Sequence, residues 1–242
     1  MRRWLLAALL LATVSTGCRG DTGSASQGSG PAPDATTETV TTEDGLRLDA
    51  RLFAADPDRV VILLHMYQAN QESWFETART LRDRGISALT LDFRGYGASE
   101  GEVEPGDIDR DVRAALAFAH ARGYEHIVLA GASMGGTAAI VTAAGEEVDG
   151  VLTLSAPQRF RSLDADSAVK DVQAPLALIA ARGDTSAEQA IESFEARTRA
   201  DGRRTLLVEG RAHGTQLLTS PESQEVMQLL FEFLEDVWGP GS

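Results

Sequence analysis

The stretch His126-Ile127-Val128-Leu129-Ala130-Gly131-Ala132-Ser133-Met134-Gly135-Gly136-Thr137-Ala138-Ala139 decides how this chain folds. Its first five residues read as a strand, and the small residues from Gly136 to Ala144 read as a helix. Between them stands a serine with glycine two positions before and two after. A strand that turns into a helix this sharply forces Ser133 into a strained conformation and lifts its hydroxyl off the end of a sheet. Side chains at 131 and 135 would collide across such a turn, and both positions are glycine. The first amides of the helix then face whatever binds at the serine. The stretch therefore predicts a serine nucleophile, which needs a sheet around it and partners to activate it.

The flanking sequence supplies the sheet. Glu38–Glu43 and Leu46–Phe53 read as two strands joined by the turn Asp44-Gly45. Val60–Leu64, Ile86–Leu91, Val151–Leu154, Leu176–Ala180 and Thr205–Val208 are short apolar runs, as expected of strands covered on both faces. Helices alternate with them. One is capped by Asn70, with Trp74, Phe75, Ala78 and Leu81 as its apolar stripe. A second runs from Asp107 to Gly123. A third begins with Thr185 and Glu188 as a capping box. The last starts at Ser220-Pro221 and carries Val226, Leu229, Leu230, Phe233, Leu234 and Val237. Strands alternating with helices after a hairpin predict an α/β fold with a mostly parallel sheet, whose ligands bind at the carboxyl ends of the strands.

The N-terminal residues read differently. Met1-Arg2-Arg3 is basic, and Trp4–Val14 is an apolar run of signal-peptide length, too short for a comfortable membrane span. Ser15-Thr16-Gly17-Cys18 resembles the lipobox of bacterial lipoproteins, with Ser15 where an aliphatic residue is usual. The expectation is a signal peptide over residues 1–17, a lipidated Cys18, a polar tether over 18–37 and a folded domain over 38–239. The protein is then exported and attached to a membrane through the lipid only; the alternative is a secreted protein with an incidental cysteine. Cys18 is the chain's one cysteine, so the domain holds no disulfide and no thiolate metal site. A net charge of −14 argues against nucleic-acid binding.

Asp92-Phe93-Arg94-Gly95-Tyr96-Gly97-Ala98-Ser99 follows a buried strand and is close to the D-x-R-G-x-G-x-S loop of the α/β-hydrolase superfamily. With the serine turn behind it in the expected order, the chain from about Glu38 to Trp238 resembles a serine hydrolase of that superfamily, of the esterase and serine aminopeptidase kind. The resemblance implies the α/β-hydrolase fold with an N-terminal hairpin and helices on both faces. Few residues separate Pro157 from Pro175, so little or no cap domain is expected.

It also implies partners for Ser133. Of the histidines, His120 falls in a helix, His126 at a strand entrance and His65 at a strand end. His213 follows the last strand, where the family carries its base. Asp184 follows the strand Leu176–Ala180 and matches the family's acid, whereas Asp164, Asp166 and Asp171 precede that strand, at the wrong end of the sheet. The order Ser133, Asp184, His213 is that of α/β-hydrolases. The oxyanion donors implied are the amide of Met134 and, from the loop after the first buried strand, the amide of Tyr67. Met66 departs from the family pattern, which places glycine there.

These readings imply acyl transfer through a covalent intermediate, with no cofactor or metal and a small acyl compound as substrate. Carboxylic ester hydrolysis is the leading expectation. Acyltransferase, perhydrolase or peptidase chemistry on the same triad is the alternative, and a non-catalytic binding lipoprotein that keeps the fold is an alternative of another class. The oligomeric state is open.

Overall fold

The computed structural model describes residues 34–239. The expected signal segment, Cys18 and most of the tether lie outside the described residues. The elements are β1 (Thr36–Thr41), β2 (Arg47–Phe53), β3 (Arg59–Leu64), α1 (Phe75–Asp83), β4 (Ser87–Leu91), α2 (Ile108–Ala121), β5 (His126–Ala132), α3 (Met134–Ala143), β6 (Gly150–Leu154), β7 (Arg159–Phe160), β8 (Leu163–Asp164), α4 (Ala165–Ala168), β9 (Leu176–Ala181), α5 (Thr185–Arg197), β10 (Arg204–Val208) and α6 (Ser223–Trp238).

Eight strands form one sheet in the order β1-β2-β4-β3-β5-β6-β9-β10. β2 pairs antiparallel with both β1 and β4, and every other pairing in this sheet is parallel. This is the α/β-hydrolase fold. The N-terminal hairpin forms as its turn residues predict, with Gly45 in the left-handed region at φ 87°. β1 starts at Thr36, two residues ahead of the expected domain boundary, and Asp34 is ion-paired to Arg79 and Arg82 of α1.

The central strands are apolar because helices cover both faces. On one face α2, α3 and α5 bury Ile108, Val112, Ala138, Ile191 and Phe194 against the sheet. On the other, α1 and α6 bury Leu81, Leu230 and Phe233. Each fully buried Leu or Phe of this kind contributes about 1.5–3 kcal/mol of transfer free energy.

Two helix starts differ from expectation. Asp184, not Thr185, is the N-cap residue of α5, and its side chain makes no capping bond. The expected capping box does not form because the helix starts one residue early, which puts Thr185 inside it and Ala187 where the box needs Glu. α6 begins at Ser223, and the Ser220 hydroxyl caps only the turn before it by accepting from the Glu222 amide at 3.2 Å. The segment between β6 and β9 holds a two-residue hairpin, β7–β8, and the one-turn α4, and no larger cap.

Strand order reverses between β4-β3 and β5-β6, and ligands of open α/β sheets bind at such a switch point. β3 and β5 are neighbours there, with Leu64 opposite Gly131. The loop after β3 and the turn after β5 therefore leave the sheet side by side.

Candidate active site

Ser133 sits where the strand β5 ends and α3 begins, at φ 46° and ψ −114°. An L-residue pays steric strain there, on the order of 1–3 kcal/mol. The surroundings hold it in place. The Ser133 amide donates to the Leu154 carbonyl of β6 at 2.7 Å. A Cβ at Gly131 would lie 2.3 Å from the Gly135 carbonyl oxygen, and one at Gly135 would lie 2.4 Å from the Leu64 carbonyl oxygen. No larger residue fits at either position without moving backbone.

His213 follows β10 and reaches back over this turn. Its Nε2 lies 2.8 Å from Ser133 Oγ, and its Nδ1 lies 2.6 Å from Asp184 Oδ2. With Nδ1 protonated, Nδ1–H donates to the carboxylate and Nε2 accepts from the hydroxyl. The structure thus brings Ser133, His213 and Asp184 into one hydrogen-bonded chain from the ends of β5, β10 and β9. Asp184 is nearly enclosed, its side chain 11% exposed, while the His213 side chain is 42% exposed and faces solvent. The site is open.

Gln216 also supports His213, and nothing in its own sequence setting announces it. Its side-chain carbonyl accepts from the His213 amide at 3.1 Å. The other carboxylates considered have other roles. Asp164 caps α4 through Ser167 and pairs with Arg159, and Asp166 pairs with Arg197. Asp171 lines a cleft with His120 and Glu125, near the amino end of β5 and away from Ser133.

The loop after β3 lies against the start of α3. The amides of Tyr67 and Met134 donate to no protein acceptor among the described residues, and both belong to segments that border Ser133. Met66 needs no glycine, because its φ is negative and the left-handed turn falls on Gln68 at φ 61°. Its side chain instead packs under the histidine loop. A Cβ on Gly214 would meet Met66 Sδ at 2.8 Å, and the Thr215 hydroxyl lies 3.7 Å from the same sulfur. The side chain missing at Gly214 leaves the space that Met66 fills.

His65 is a buried structural residue. Its Nδ1 donates to the Met66 carbonyl at 2.8 Å, and its Nε2 accepts from the Phe93 amide at 3.1 Å. Its ring packs between Phe93 and Tyr96. Burial lowers its pKa to about 4, so it is neutral near pH 7. The Asp92–Ser99 loop braces the site from below. Asp92 accepts from the Gln71 amide at 2.8 Å, and Arg94 joins Asp111 at 2.7 Å to Asp44 at 3.0 Å.

Residues 55–182, more than half of the chain, match the hydrolase family described as serine aminopeptidase, S33. The chain belongs to this family. It is 29% identical to AB hydrolase superfamily protein YisY of Bacillus subtilis over 174 residues, which cover 65% of this chain and 63% of that protein. It is 26% identical to a carboxylesterase of the same bacterium over 108 residues, 43% of this chain and 44% of that one. The aligned part thus spans less than two thirds of the length of these curated relatives. Among solved structures, an esterase of Pyrococcus furiosus superposes with a TM-score of 0.73 at 21% identity, covering 85% of this chain and 91% of that chain. Dienelactone hydrolase from Anabaena variabilis superposes at 0.69 and 20% identity, covering 84% and 97%. At these identities the likeness is one of fold.

The buried His65 makes stability depend on pH in a stated direction. Its folded pKa, about 4, lies below the unfolded value near 6.5, so its contribution is complete above pH 6.5 and shrinks as pH falls toward 4. His65→Gln will be less stable than wild type at pH 7. The gap between the two unfolding free energies, measured by denaturant titration, will narrow by about 3 kcal/mol between pH 6.5 and 4. A gap independent of pH would contradict a neutral, buried His65.

Proposed function

We propose that the protein is a serine hydrolase that cleaves carboxylic esters through Ser133, His213 and Asp184. The observation that supports this best is the unbroken chain from Asp184 Oδ2 through both ring nitrogens of His213 to Ser133 Oγ. Ser133 Oγ attacks the ester carbonyl carbon while its proton passes to His213 Nε2. The imidazolium that forms is stabilised by Asp184, whose hydrogen bond to Nδ1–H also selects the tautomer. The negative charge on the carbonyl oxygen falls to the amides of Met134 and Tyr67, with the amino end of α3 behind them. The C–O bond to the leaving alcohol then breaks, and the alcohol takes the proton from His213. Water, deprotonated by His213, attacks the acyl carbon, and Ser133 leaves with its proton restored.

The exposure of His213 favours water as the second acceptor, because the acyl-enzyme would face solvent. The short segment between β6 and β9 favours small esters or exposed ends of larger molecules over long chains that need an enclosed tunnel. Ester cleavage is preferred to peptide cleavage because an alkoxide leaves with less protonation than an amine.

The triad reading is tested by steady-state kinetics on a short-chain 4-nitrophenyl ester. Ser133→Ala and His213→Ala will each lower kcat by about 10⁴–10⁶-fold, and Asp184→Asn by about 10⁴-fold, with KM little changed. Wild-type-like turnover in Ser133→Ala would sink the reading.

We also propose that the domain is held at a membrane surface by a lipid on Cys18. The support is the basic start, the apolar run and the small residues before the cysteine. Among the described residues, no helix is long and apolar enough to cross a membrane. Cys18→Ser will move the protein from the membrane fraction to the soluble extracytoplasmic fraction, read by immunoblot. Retention of that variant in the membrane would contradict lipidation.

A further inference from the structure

Hairpin β7–β8 stands beside the loop that carries Tyr67, and its tip presents a residue that ester hydrolysis does not require. Arg161 lies between the two short strands at φ 53°, a left-handed conformation that usually falls to glycine or asparagine. The hairpin is pinned on several sides. The Phe160 ring packs on the Tyr67 ring with centroids 5.6 Å apart. The Ser162 hydroxyl donates to the Gly106 carbonyl at 2.9 Å, and Leu163 is buried. The base of Arg161 is therefore fixed, in a conformation an arginine adopts at a cost.

Its charge has no counterpart. Arg161 makes no ion pair among the described residues, in a chain with 36 acidic side chains. The buried Tyr96 hydroxyl feels both the Tyr67 hydroxyl and the Arg161 charge. Burial, with Tyr67 adding to it, pushes the Tyr96 pKa up to about 12, and the Gln68 amide and then Arg161 only partly oppose this. Tyr96 thus stays a neutral phenol and supplies no negative charge to the guanidinium. An exposed, uncompensated cation is held next to the segment that borders Ser133.

We propose that Arg161 is a specificity-determining residue that binds a carboxylate carried by the ester substrate, on its acyl or its alcohol part. The proposal rests on the reading of Ser133 as the nucleophile. A guanidinium offers two parallel N–H donors that match the two oxygens of a carboxylate. The chain as a whole, at −14, repels anions, so a cation beside the Tyr67 loop selects where an anionic ester settles.

The test compares neutral 4-nitrophenyl butyrate with two charged esters. 4-Nitrophenyl hemiglutarate carries the carboxylate on the acyl side, and 4-carboxyphenyl butyrate carries it on the alcohol side. In Arg161→Gln, kcat/KM for at least one charged ester will fall by about tenfold relative to the neutral ester, mainly through KM. Arg161→Lys will recover part of the loss. Arg199→Gln, which removes an exposed arginine far along the chain with no ion pair among the described residues, will leave the ratio unmoved. Turnover of the neutral ester by wild type reports separately on the hydrolase reading. If no ester is turned over, the amide analogues glutaranilic acid and 4-butyramidobenzoic acid still probe the anion site through thermal shift. One of them will raise the Tm of wild type and not of Arg161→Gln. Equal losses on charged and neutral esters, or equal thermal shifts in the two proteins, would overturn the proposal.

Discussion

The contact of one turn of backbone with itself governs the site. At the end of β5 the chain reverses so closely that residues 131 and 135 lie against each other, and residue 135 also lies against the end of β3. Only glycine leaves room at either place. The crossing forces Ser133 into a conformation that an isolated peptide would relax, and the Leu154 carbonyl of β6 holds the serine amide there. The same crossing seats the start of α3 beside the loop after β3. Ser133, the helix amino end and the second candidate amide are thus arranged by one steric constraint.

The rest of the site is assembled by the sheet. Ser133, Asp184 and His213 are far apart in sequence, and parallel pairing through β5, β6, β9 and β10 brings their loops to one edge. Small local interactions then adjust what the sheet positions. Gln216 fixes the His213 backbone, and Met66 fills the space that Gly214 leaves beside it. His65, locked as a neutral donor and acceptor, ties the loop after β3 to the loop after β4. Its bonds reach Met66 and Phe93, so the candidate oxyanion loop is held from beneath by a buried side chain.

Much of this was legible in the residues. The hairpin turn, the doubly covered strands and the stripes of α1, α2 and α6 follow from local pattern, because burial on one or two faces writes a period into the chain. The meeting of Ser133, Asp184 and His213 was legible because each falls just past a strand end. What local pattern could not show are choices made by distant partners. Asp184 has the composition of a helix cap and takes the cap position, but a histidine 29 positions later takes its carboxylate, so its side chain makes no capping bond. Met66 looked like a missing glycine because the residue it packs against is nearly 150 positions away, and because the left-handed turn had moved to Gln68. The two-residue strands β7 and β8 are too short to carry a period at all.

The central claim is that the Ser133 hydroxyl is the reactive group, activated by its neighbours and not merely exposed at a turn. Treatment of the purified protein with a fluorophosphonate, followed by intact mass and peptide mapping, tests it most directly. The account predicts one phosphonyl adduct on Ser133 in wild type, much slower labelling in His213→Ala, and none in Ser133→Ala. An unlabelled wild type, or an equal adduct on Ser133→Ala, would contradict it.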